Sequence, residues 1–190
     1  MSDDPLGDLS EEQLAAWERL AEALDRAITE AQAISVNADP RKRGGPEETR
    51  KVWAKSGVLV AEFRVEVDRA LESGIETPLA WHLLGMGSEG SKERLRYFTR
   101  ELECWDSGRG SKFVQPGPRK EWAETHGLAE CLYFIGRVHA LEGDPQVARD
   151  FLMRALPLAQ KEEQMREAAD ITIDNGLEGR IAMLLVQLPE

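Results

Sequence analysis

Apolar residues return every three or four positions along most of this chain, and polar breaker segments separate the stretches. Leu14, Trp17, Ala21, Leu24, Ile28 and Ala31 form the first stripe and predict a helix from about Glu11 to Ser35. Its start is marked by Ser10-Glu11-Glu12-Gln13, a capping box in which the Ser10 hydroxyl accepts from the Gln13 backbone while the Gln13 side chain reaches back. A polar segment from Asn37 to Pro46 follows, with Asp39-Pro40, Arg41-Lys42-Arg43 and Gly44-Gly45-Pro46. Pro46 suits the first turn of a second helix. That helix is carried by Val52, Trp53, Ser56, Leu59, Val60, Phe63, Val67, Ala70 and Leu71, and Gly74 is its natural stop.

Thr77-Pro78 pairs an N-cap with proline at the first helical position and opens a short helix through Trp81, Leu83 and Leu84. The glycines at 85, 87 and 90 are expected to end it. Ser91 is expected to cap a fourth helix, with Leu95, Phe98, Leu102 and Trp105 facing inward. Ser107 to Pro118, rich in glycine and proline, reads as a loop. A fifth helix is predicted from about Arg119 to Leu141, a turn at Gly143-Asp144-Pro145, and a sixth helix from Pro145 to about Gln160. The tail then divides near Asn175-Gly176 into two more helical segments, the last from Leu177 to Leu188. No stretch alternates with the period of two that a half-buried strand needs. The pattern predicts an all-α protein of about eight helices in antiparallel hairpins. It is read as one helical domain over 1–190, with a subdivision into helices over 1–106, a loop over 107–118 and helices over 119–190.

The stretch from Leu132 to Gln160 carries more information than the rest. Leu132, Ile135 and Gly136 precede a turn glycine, Gly143, and Ala148, Leu152 and Ala155 follow it in a small-large-small order. This spacing resembles the tetratricopeptide repeat, two antiparallel helices in about 34 residues whose backbones approach where small residues meet. Two positions depart from it: His139 stands where an aromatic is usual, and Gln160 where a proline often closes the repeat. The resemblance spans about one repeat. It implies a TPR-like right-handed stack, the alternative being an irregular helical bundle. It further implies a peptide groove lined by the first helix of each repeat, at positions Glu130, Tyr133 and Arg137.

Composition narrows the function classes. The 190 residues carry a net charge of −11, with 42% hydrophobic and 31% charged residues, as in a folded domain. Charge is uneven, at −8 over residues 1–40, +4 over 41–120 and −7 over 121–190. Acidic ends argue against nucleic-acid binding, which needs a dominant basic face. No apolar run reaches the ~20 residues of a membrane span, and the acidic Met1-Ser2-Asp3-Asp4 is unlike a signal peptide. Cys104 and Cys131, without metal-like spacing, read as reduced thiols of a cytoplasmic protein, and the Arg-over-Lys, Ala/Gly/Glu-rich composition points to a bacterial one.

Chemical motifs are sparse. Gly85-Met86-Gly87-Ser88-Glu89-Gly90 matches a dinucleotide-binding string, but it follows a helix start rather than a strand and reads as a turn. His126 and Glu130 stand one helical turn apart, yet two groups do not make a metal site. Glu62 and Glu66 lack the Glu-x-x-His partner of a di-iron bundle. The expectation is therefore no catalytic residue, no metal and no cofactor. Arg94, Arg100, Arg109, Lys112, Arg119 and Lys120 form the alternative site, an anion contact of a small helical enzyme or ligand-binding protein, although interleaved glutamates also fit a solvated, salt-bridged surface. The leading expectation is a non-enzymatic adaptor, chaperone or inhibitor that binds a protein or peptide partner, without nucleic acid or membrane. The heptad-like first helix is also compatible with a homodimer.

Overall fold

The computed structural model describes residues 9–37, 61–114, 117, 119–168 and 176–189, and every regular element among them is helical. The expected start of the second helix, around residues 46–60, lies outside the described residues, as does the segment 169–175. Among the described residues no helix is long and apolar enough to cross a membrane. The chain divides into two compact units, Met1–Glu76 and Thr77–Glu190. The boundary falls at Thr77, and the 107–118 loop lies inside the second unit.

In the first unit, helix α1 spans Glu11–Asn37 and a second helix, α2, covers residues 61–72. The capping box forms as read: the Ser10 amide donates to Gln13 Oε1 at 3.1 Å and the Gln13 amide to Ser10 Oγ at 3.2 Å. The Gln13 amide nitrogen goes further and donates to the Ser73 carbonyl at 3.0 Å, tying the start of α1 to the end of α2. The buried line of α1 is Ala16, Leu20 and Ala23, whereas Leu14 is exposed and Trp17 and Ala21 are half-buried. Over residues 14–23 the buried line is thus shifted by one residue from the expected stripe, whose Leu24, Ile28 and Ala31 side chains lie outside those described. Alanines on the inner line let a neighbouring helix approach closely, which larger residues there would prevent. Phe63, Val67 and Ala70 supply the buried line of α2.

The second unit runs α3 (Pro78–Gly87), α4 (Ser91–Asp106), a short 3-10 turn (Gly110–Phe113), α5 (Lys120–Leu141), α6 (Pro145–Ala168) and α7 (Leu177–Gln187). Thr77 caps α3 by accepting from the Ala80 amide at 3.1 Å, and Pro78 opens the helix. Helix α3 ends at Gly87, as expected, whereas Gly85 lies within it. The reason is packing: a Cβ on Gly85 would sit 2.5 Å from the Phe98 ring, so the glycine admits α4. Gly90, not Ser91, is the N-cap of α4.

Helices α5 and α6 pack closely as a hairpin. Leu132, Ile135, Ala148, Leu152 and Ala155 are all buried, and Gly136 allows the close approach of α6. Gly143 ends α5 with a left-handed φ of +81°, while the Asp144 amide donates to the His139 carbonyl and the Gly143 amide to that of Ala140. That bond pair is a Schellman closure. His139 stacks on Phe151, with ring centroids 5.9 Å apart and planes 4° from parallel, filling the expected aromatic's place with an imidazole. Helix α6 does not stop near Gln160 but continues through Pro157 to Ala168. Pro157 and Met153, whose carbonyl the proline leaves without a helical donor, both lie on the exposed side of the helix.

Each helix of this unit packs on the next, α3 on α4, α4 on α5, α5 on α6 and α6 on α7, and α3 and α7 also both reach α5. Its core runs from Phe98 through α5 and α6 to Leu177 and Ile181, with Phe98 stacked on Phe134 at 5.3 Å.

Candidate functional site

One face of α5 carries Trp122, His126, Glu130, Tyr133 and Arg137, at steps of four, four, three and four residues. Helical geometry aligns such positions along one stripe. Onto that stripe the other helices of the second unit deliver charged and titratable side chains.

The result is a row in which carboxylates and imidazoles alternate. Glu101, from α4, is 2% exposed and receives His82 of α3, whose Nδ1 lies 3.2 and 3.1 Å from its two oxygens. His82 Nε2 faces Glu130 Oε2 at 3.8 Å, and His126 Nε2 approaches that same oxygen at 3.5 Å. His126 Nδ1 lies 3.6 Å from Oε1 of Glu162, a buried residue of α6 that also accepts from Trp122 Nε1 at 3.1 Å. From α7, Arg180 comes within 3.7 Å of Glu130 Oε1 and places its guanidinium 5.1 Å from the centre of the Tyr133 ring. Five helices therefore meet at one polar locus.

Aromatic rings wall this row. His82 stands edge-on to Phe134 at 5.4 Å and tilted to Phe98 at 5.8 Å, and His126 stacks on Trp122 with planes 2° from parallel. The low polarity of these walls strengthens every charge interaction inside. Burial alone lowers the pKa of His82, but the Glu101 hydrogen bond and the charges of Glu101 and Glu130 outweigh it, and the net direction is up from 6.5. Burial raises Glu101, with His82 opposing, and its net direction is also up. Both members of the pair thus hold a proton more readily than they would in water. Burial likewise pushes the Cys131 thiol up; its Sγ donates to the Phe98 carbonyl at 3.3 Å.

Of the groove positions implied by the repeat resemblance, Glu130 lies at the centre of the row and Arg137 is exposed on the same helix. Tyr133 is only 7% exposed, beneath Arg180. The basic residues are placed differently. Arg94 donates to the Ser88 carbonyl, at the end of α3, at 2.7 Å. Arg100 pairs with Glu103 at 2.8 Å, Arg109 donates to Ser107 Oγ at 2.9 Å, and Lys120 lies 3.8 Å from Glu124. Lys112 and Arg119 are exposed. Arg100 and Arg119 are both exposed, whereas His126 belongs to the carboxylate row.

His82, Glu101, Glu162 and Arg180 are the site residues that spacing along α5 did not reveal. Two left a signal. Glu101 interrupts the inward stripe of α4 three residues after Phe98 and four before Trp105. Glu162 continues the buried line Ala148, Leu152, Ala155 and Ala159 of α6. An acid at a core position of a helical stripe requires a buried partner. Among the described residues no three His, Cys, Asp or Glu groups are arranged to hold a metal ion. The chain matches no protein-family model, no curated protein and no solved structure.

Proposed function

We propose that Thr77–Glu190 is a protein-binding module, and that its receiving surface is the side shared by α3, α5 and α7. The observation that carries this reading is the convergence on Glu130: His82 of α3 and Arg180 of α7 both meet this α5 carboxylate, whose side chain retains 24% exposure. Three alternate helices of a stack contribute to one spot, as they do along the concave side of a TPR-like array. The order of packing supports it, since α3 and α7 both reach α5 across the helices that intervene in sequence. Glu130, Arg137 and Arg180 present charge to an extended peptide, and Tyr133 supports Arg180 from beneath.

The test is affinity capture from native lysate with the full chain, comparing the wild type with the Arg137→Glu, Arg180→Glu double variant. A protein held by the wild type and lost by a folded double variant supports the reading. Equal retention by both, or turnover of a small molecule without a protein partner, overturns it.

A further inference from the structure

The row sets three carboxylates, Glu101, Glu130 and Glu162, against one guanidinium, Arg180, and its other two members are imidazoles. His82 is the member supplied by α3, and it stands between two carboxylates on different helices, Glu101 on α4 and Glu130 on α5. Its two nitrogens have unequal roles. Nδ1 is within hydrogen-bonding distance of Glu101, and a proton there serves that bond whether the ring is charged or neutral. Nε2 faces Glu130, and only the charged ring has an N–H to offer it.

We propose that His82 is a proton-operated clasp between α3 and α5: charged, it bridges Glu101 and Glu130 and holds α3 closed; neutral, it keeps Glu101 and releases Glu130. In the neutral state a nitrogen lone pair points at a carboxylate oxygen in a poorly polar surrounding, which is repulsive. Glu130 then has other partners to turn to, since Arg180 of α7 reaches its Oε1 and His126 its Oε2. The remaining groups around the ring are Phe98 of α4 and Phe134 of α5, and Cys131 of α5 lies near Glu101. Glu162 of α6 joins the row through His126. The direction of the His82 shift places the release above the ordinary histidine value of 6.5 rather than below it. By linkage the closed state is fully held below about pH 6.5 and is lost as pH rises through the elevated value. The clasp concerns the α3–α5 seam and does not rest on any peptide being bound there.

The test follows amide hydrogen exchange of the full chain between about pH 5.5 and 8.5, the span of histidine titration, with rates corrected for base catalysis. Protection of α3 is expected to fall roughly two- to fivefold across that range, the scale of one ion pair that water still reaches, while α6 holds. In Glu130→Gln the pH dependence of α3 is expected to shrink to the part that the His82–Glu101 bond supplies. A flat profile in the wild type, or the same fall in the folded variant, overturns the clasp. Imidazole NMR of the wild type provides a second measurement that needs no variant. A His82 ring titrating above 6.5 supports the clasp, and one titrating at or below it refutes it.

Discussion

Gly136 of α5 and Leu152 of α6 approach so closely that a Cβ on the glycine would lie 2.9 Å from the leucine Cγ and 3.1 Å from the Ala148 carbonyl oxygen. Leu152 is fully buried and has no room to withdraw. Alanine gains about 1 kcal/mol of helix propensity over glycine, but overpacking costs about 1–3 kcal/mol. Gly136→Ala is therefore expected to destabilise the second unit by up to about 2 kcal/mol, read as a lowered urea midpoint.

Gly179 offers the opposite case. It lies within α7, and a Cβ there would meet nothing within 4 Å. Gly179→Ala is expected to stabilise by about 0.5–1 kcal/mol, because it reduces the freedom of the unfolded chain without a clash. Thermal melts of the two glycine variants should move in opposite directions; a shared direction would show that the hairpin contact is looser than the distances imply.

Phe98 joins the α3–α4 and α5–α6 pairs by packing under Gly85 and on Phe134. Phe98→Ala removes a ring that is 1% exposed and is expected to cost about 3–5 kcal/mol. It should also expose apolar surface, detectable by dye binding at temperatures where the wild type stays dark.

The His82–Glu101 pair gives stability a sign with pH. Both groups have folded pKa values above their ordinary ones, so the folded chain binds more protons than the unfolded chain as pH rises past about 4.5 for the glutamate and 6.5 for the histidine. Their contribution is present at acid pH and falls as pH increases. Glu101→Gln keeps the shape but removes the glutamate's titration and much of what raises His82. Chemical denaturation at several pH values should show a shallower decline for the variant, so that it gains on the wild type toward alkaline pH. A decline of equal slope would contradict this account.

Features encoded locally were legible in the sequence. The Ser10–Gln13 box, the Thr77-Pro78 start and the Gly143 turn each depend on a few neighbouring residues, and each forms. The small-large-small order of Ala148, Leu152 and Ala155 likewise identified the buried side of α6. On α1 the large residues misled, because the alanines that permit close packing weigh little in a hydrophobic stripe. The extent of α6 was missed because its end was set near the end of one repeat, at Gln160, whereas residues 161–168 continue the helix without a break. Spacing on α5 aligned Glu130, Tyr133 and Arg137, but spacing relates residues of one helix only. That His82, Glu101, Glu162 and Arg180 gather around the same stripe follows from how the helices stack.

The two cysteines give the fold a chemical clock. Cys104 and Cys131 are not in a disulfide and are at most 1% exposed, and burial holds Cys131 in its unreactive protonated form. A thiolate-seeking reagent finds its target only when α4 and α5 part, so labelling of the native chain counts opening events one molecule at a time. At low reagent concentration the labelling rate follows the equilibrium population of the open form, and at saturating reagent it follows the rate of opening. The native protein thus carries its own probe of the seam between those helices, with no label added and no residue changed.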